Sequence, residues 1–105
     1  MTYVFDLDNT LCITENSDYI NSIPSIDKIK IVNTLYDNGN TITIFTARGM
    51  GSTDNNQLKA IQKYYSLTEK QLSLWGIKYH NLFLGKPLGD IYIDDKGINH
   101  NDFFK

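Results

Sequence analysis

Apolar and polar positions alternate along the chain in short and long blocks. Thr2 to Leu7 (TYVFDL) is aromatic and β-branched with a carboxylate inside it, which predicts a short buried strand. Cys12 to Pro24 is polar and shows no period. From Ser25 onward Ile26, Ile29, Val32, Leu35 and Tyr36 recur at helical spacing, with Ser25 as N-cap and Gly39 as the stop. Thr41 to Thr46 (TITIFT) predicts a second strand. After a loop rich in glycine and asparagine from Arg48 to Asn56, one helix is expected over Gln57–Tyr65. A second is expected from Thr68, where Thr68 and Gln71 have capping-box spacing before Leu72, Leu74 and Trp75; Gly76 ends it. Asn81–Leu84 (NLFL) and Asp90–Ile93 (DIYI) read as strands three and four. Asn99 to Lys105 reads either as a last helical turn or as a frayed end.

Strand, helix, strand, helix, strand, strand is the order of an α/β fold: a mostly parallel sheet with flanking helices. Such sheets bind ligands beyond the carboxyl ends of their strands. At 105 residues the chain, 1–105, is expected to be a single domain. No apolar run reaches the roughly 18 residues of a membrane span, and the N-terminus has no basic leader. A cytoplasmic protein is therefore expected, without a disulfide framework because Cys12 is the one cysteine. A formal charge of -2 and a lone arginine, Arg48, argue against a nucleic-acid partner.

Ten of the twelve acidic residues are aspartates, which serve as caps and turn formers or as metal ligands. Their positions matter more than their number. Strand one runs into Asp6-Leu7-Asp8-Asn9-Thr10, strand two ends at Thr46-Ala47-Arg48, strand three leads to Gly85-Lys86-Pro87, and strand four to Asp94-Asp95. In a parallel sheet these ends share one edge. Four carboxylates, a hydroxyl and an ammonium would then converge. Such a set calls for a compensating hard cation such as Mg2+, and it suits phosphoryl transfer. Taken singly each residue has an ordinary reading: a turn for Asp8-Asn9, a strand end for Thr46, a solvated loop for Lys86, a helix cap for Asp94-Asp95. Their joint order favours the functional one.

Asp6-Leu7-Asp8-Asn9-Thr10-Leu11 after a hydrophobic strand resembles the first motif of haloacid dehalogenase (HAD) superfamily phosphatases. Thr46, Lys86 and Asp94-Asp95 are similar in type and order to its second, third and fourth motifs. The resemblance covers nearly the whole chain and implies a three-layer, Rossmann-like (HAD-like) fold. It implies Asp6 as nucleophile forming an aspartyl-phosphate, Asp8 as general acid and base, and Thr46 with backbone N–H groups around Ala47 on the phosphoryl oxygens. Lys86 would offset charge. Mg2+ would sit on Asp6, on Asp8 through its backbone carbonyl, and on one or both of Asp94 and Asp95, with Asp95 favoured as the direct ligand and Asp94 acting through water or Lys86. Arg48 would bind a substrate anion or pair with a nearby aspartate.

The superfamily often carries a cap domain, yet only 38 positions separate Asp8 from Thr46 and 40 separate Thr46 from Lys86. A capless member is expected. Water must then be excluded by loops, by the substrate or by a second copy in a homo-oligomer. Cys12 to Pro24 is the candidate flap, its Tyr19, Ile20 and Ile23 being either flap residues or core anchors. Cys12 itself reads as a spectator, and His80 and His100 lack metal-ligand spacing.

TARGM after strand two, WGIKYHNLFLGKP before motif three and YIDDKGIN resemble small phosphatases of bacterial capsule biosynthesis, which implies a sugar phosphate or related small phosphate ester. The alternatives are a polynucleotide or phosphoprotein phosphatase with an open site, or a non-catalytic phosphate- or metal-binding protein of the same fold. A receiver-type signalling module fits poorly, since the middle strand ends in Thr46 where that module needs its phosphoacceptor.

Overall fold

The structure, a computed structural model, describes all 105 residues. Its frame is a parallel three-stranded sheet. Strand β1 (Thr2–Phe5) is followed by a small antiparallel pair, β2 (Cys12–Ile13) and β3 (Ile23–Pro24), with a turn of 3-10 helix at Tyr19–Asn21 between them. Helix α1 (Ile26–Asp37), strand β4 (Thr41–Thr46), helix α2 (Gln57–Leu74), strand β5 (Asn81–Leu84) and a short helix α3 (His100–Phe103) complete the order. The sheet runs β1-β4-β5, with Phe5 opposite Ile44 and Thr46 opposite Leu84.

The central strand explains the layering. Ile42, Thr43 and Ile44 are buried in succession, so both faces of β4 are covered, as expected for a parallel sheet between helices. Helix α1 packs on β4 through Ile29 and Val32, and α2 packs on β5. Phe5, Leu7, Leu11, Leu72, Leu82 and Leu84 join the same core. Each large aliphatic side chain buried there contributes about 1.5–3 kcal/mol. No helix is long and apolar enough to cross a membrane.

Several expectations needed correcting. The two helices read from Gln57 to Gly76 are one 18-residue helix, because Thr68 is not a cap. Its hydroxyl donates back to the Tyr64 carbonyl at 2.8 Å inside the helix, and no glycine or proline interrupts the run. Cys12–Pro24 is not wholly irregular, since its two ends pair as β2 and β3. Asp90–Ile93 forms no strand. Pro87 and Gly89 precede it, it pairs with nothing, and Ile91 and Ile93 are 79% and 95% exposed. β-Propensity describes fitness for a half-buried pleated surface, and this segment has none to lie on. Strand β1 is accordingly an edge. The tail resolves as helix: Phe103 packs edge-on to Phe5 at 5.6 Å, and Phe104 stacks on Phe5 at 6.1 Å.

Candidate functional site

The loop leaving β1 sets the site. Residues alternate there: Leu7 and Leu11 are completely buried, while Asp6 and Asp8 point the other way into an open cavity of about 290 Å3. The Leu7 carbonyl accepts hydrogen bonds from the N–H groups of Thr10, Leu11 and Cys12, which winds the chain into a tight turn. Asn9, at φ 61, occupies the left-handed region that asparagine tolerates better than most residues. Thr10 then donates its hydroxyl to Asp6 Oδ2 at 3.2 Å.

Thr46 ends β4 and Lys86 follows β5. The Lys86 N–H donates to the Thr46 carbonyl at 3.2 Å, tying the two strand ends together. Lys86 Nζ lies 3.6 Å from Asp6 Oδ1 and 4.6 Å from the centre of the Tyr92 ring. The Thr46 hydroxyl accepts the Arg48 N–H at 3.2 Å, so its own proton is left to donate. Ala47 also lines the cavity, and its N–H makes no backbone hydrogen bond. Gly85, at φ 91, supplies the left-handed turn that aims Lys86, and its carbonyl accepts from Gln57 Nε2 at 2.9 Å.

Asp8 is held differently. Arg48 donates from Nε to Asp8 Oδ1 and Oδ2 at 3.2 and 3.1 Å, and from Nη2 to Oδ1 at 3.0 Å. The Thr14 hydroxyl donates to Oδ1 at 2.6 Å, and Cys12 Sγ approaches it at 3.6 Å. Arg48 itself is buried, its side chain fully screened from solvent. Its other arm reaches Thr68 and Gln71 of α2. Of the two roles open to Arg48, the structure shows the aspartate pair, and Arg48 is not among the residues that line the cavity. Burial, with the Asp8 charge assisting and the Thr14 bond opposing, pushes the Cys12 thiol above its ordinary 9.0. That keeps Cys12 protonated, in keeping with a spectator.

Five of the eight expected site residues therefore meet in one cavity: Asp6, Asp8, Thr46, Ala47 and Lys86. Asp94 and Asp95 do not. Both are exposed on the unpaired segment after β5, and neither lines the cavity. The N–H of Lys96 donates to Asp94 Oδ1 at 2.8 Å and, as the main cause, holds that carboxyl below its usual range. The expected Mg2+ set thus fails to assemble: nowhere do three His, Cys, Asp or Glu side chains gather, and two carboxylates alone line the cavity, one of them bound to Arg48.

Other residues at the site escaped the sequence reading. In the sequence Thr10 stands only as a member of the first motif, Thr14 as a polar position after it, and Gln71 as a capping-box residue; in the structure all three hold the aspartates or Arg48. Tyr19 forms a wall. Its hydroxyl accepts the Gly49 N–H at 3.3 Å, and its ring packs edge-on to Tyr64 at 4.9 Å. Tyr19 is thus a partly buried anchor, whereas Ile20 and Ile23 are 75% and 63% exposed. Gly49, at φ 78, has no substitute: a Cβ there would stand 2.5 Å from the Tyr64 ring. His80 spends Nδ1 accepting the Ile42 N–H at 3.1 Å, a structural role.

No family model matches the chain, and no curated protein matches it. Among solved structures, the crystal structure of an MCSG target from Vibrio cholerae superposes with a TM-score of 0.90 at 29% identity, covering 98% of this chain and 86% of that one. The chain is similar to that protein in fold over nearly its whole length, which makes the parallel sheet with its flanking helices an arrangement already seen in a crystal.

Proposed function

We propose that this protein is a phosphomonoesterase of the capless haloacid dehalogenase type, with its Rossmann-like layering, acting through an aspartyl-phosphate on Asp6. The observation that carries the reading is the pairing of Asp6, an accessible carboxylate, with Lys86 at 3.6 Å where two parallel strands end on a cavity. Lys86 Nζ and the Thr46 hydroxyl are positioned to receive phosphoryl oxygens, and the Ala47 N–H is free to join them. An Asp6 oxygen attacks phosphorus, the P–O bond to the alcohol breaks, and the leaving oxygen takes a proton from the Asp8 carboxyl, departing as the alcohol. Water then attacks the phospho-Asp6 phosphorus, releasing phosphate and restoring the carboxylate. Oδ2 of Asp8 has one partner against several on Oδ1, which makes it the oxygen suited to take the proton from that water. The carboxylates expected to hold Mg2+ do not come together at this cavity.

The substrate class follows from the cations. Lys86 is the one cation lining the cavity, Arg48 being committed to Asp8. A single phosphate on a small polar body, such as a sugar phosphate, suits this better than a diphosphate or a polynucleotide end. Between Asp8 and Thr46 lie the β2–β3 pair and α1, and between Thr46 and Lys86 lie α2 and β5, so neither gap holds a further domain. The clamp on Asp8 favours one second reading, a phosphate-binding protein without turnover.

Hydrolysis of p-nitrophenyl phosphate, with and without added Mg2+, separates the two. Turnover that falls at least about a thousandfold in folded Asp6→Asn supports the enzyme. Phosphate binding without turnover supports the binder, and unchanged turnover in Asp6→Asn removes the nucleophile assignment.

A further inference from the structure

Arg48 is the chain's single arginine, and each edge of its guanidinium is spent on a different element. Nε and Nη2 hold Asp8, in the loop after β1, and Nη2 also reaches Ser22 Oγ at 3.5 Å. Nη1 donates to Thr68 Oγ1 at 3.2 Å and to Gln71 Oε1, both on α2. The Tyr19 ring covers the guanidinium carbon at 4.9 Å, and Gln71 Nε2 donates to the Tyr19 carbonyl at 2.6 Å, closing the circuit. The loop after β1 and the Tyr19 turn, which both line the cavity, are therefore joined to α2 through one buried cation.

Stability alone is a poor reason for this arrangement. A buried ion pair is often matched or exceeded by apolar residues of similar volume, because both charges must be desolvated. What apolar packing cannot do is choose which carboxylate oxygen is engaged. Here the guanidinium and Thr14 load Oδ1 and leave Oδ2 with a single contact.

We propose that Arg48 is a positioning residue: a strut from α2 that presents Asp8 by its Oδ2 oxygen and holds the Tyr19 wall, with Gln71 as the joint on which both depend. The kinetic consequence rests on the phosphatase reading, whereas the strut itself can be observed without turnover. Gln71 is the informative position. Gln71→Leu removes one of the two acceptors of Nη1 and the donor to Tyr19, yet touches neither the cavity nor Asp8.

Two measurements test it on the whole chain. With one arginine present, its Nε–H gives a single unambiguous NMR signal. That proton should exchange slowly with water in the parent protein and become fast in Gln71→Leu and in Asp8→Asn. Kinetically, Gln71→Leu should lower kcat on p-nitrophenyl phosphate about tenfold while inhibition by inorganic phosphate stays within about twofold, because phosphate contacts are left intact. Arg48→Lys, which keeps charge but not the fork, should lower kcat about a hundredfold with the same split, and serves if Gln71→Leu does not fold. Rapid Nε–H exchange in the parent overturns the strut, and so does unchanged kcat, or an equal loss of kcat and phosphate affinity, in the folded variants. If the parent hydrolyses nothing while its Nε–H is slow and is released by the two substitutions, the phosphatase reading falls and the strut stands.

Discussion

Asp8 and Lys86 face the same cavity from opposite sides and are held in opposite ways. Asp8 is gripped by a buried guanidinium and a threonine hydroxyl, with completely buried Leu7 and Leu11 behind its loop. Lys86 opens a stretch from Pro87 to Asn99 that has no regular structure and carries Leu88, Ile91, Tyr92, Ile93 and Ile98 exposed. That stretch is tied to the loop before α2 by the Leu88 N–H on Asn55 Oδ1 at 3.0 Å, and within it the Tyr92 hydroxyl donates to the Pro87 carbonyl at 2.7 Å. Burial, rather than the density of charged residues, sets the two sides apart.

Substitutions sharpen or break this contrast, and the largest effect belongs to the gripped side. Arg48→Met leaves Asp8 without its counter-charge and should cost about 3–5 kcal/mol in urea unfolding. Next comes Gly49→Ala, which meets both the left-handed backbone and the Tyr64 ring and should cost about 1–3 kcal/mol by the same measurement. Lys86→Met, across the cavity, removes a partly exposed pair at 3.6 Å and should cost less than about 1 kcal/mol. A larger loss there than in Arg48→Met would reverse the comparison.

Ile93→Ser should change stability by no more than about 0.5 kcal/mol, and limited proteolysis should cut first between Pro87 and Ile98. The smallest effect concerns pH. With the Cys12 thiol raised by burial, its contribution is complete below the unfolded value of 9.0 and is lost as pH rises through the higher folded value. Urea midpoints compared at about pH 8 and about pH 10 should therefore fall less in Cys12→Ala than in the parent.

The same contrast explains what could be read from the sequence. Elements that bury an apolar face (β1, α1, β4 and β5) were legible because periodicity reports burial directly, and Asn81–Leu84 and Thr41–Thr46 fell on their boundaries. The placement of Asp6, Asp8, Thr46 and Lys86 followed from strand order alone. Asp90–Ile93 misled because its composition suits a strand while its surroundings offer it no partner, and Asp94 and Asp95 went with it. The role of Gln71 was hidden for another reason. A polar residue inside a helix can cap locally or reach a buried charge 23 positions away, and nothing in the sequence separates the two.

The turn after β1 also restricts how this chain can vary. A completely buried leucine separates the two site aspartates, and from Phe5 to Asp8 inward and outward positions alternate residue by residue. Adding or deleting a single residue between Phe5 and Asp8 would exchange the two sets, sending a carboxylate toward the core and a leucine toward water. The stretch can accept a changed side chain at Asn9 far more readily than a changed length, so its spacing, more than its lettering, is what descent must preserve.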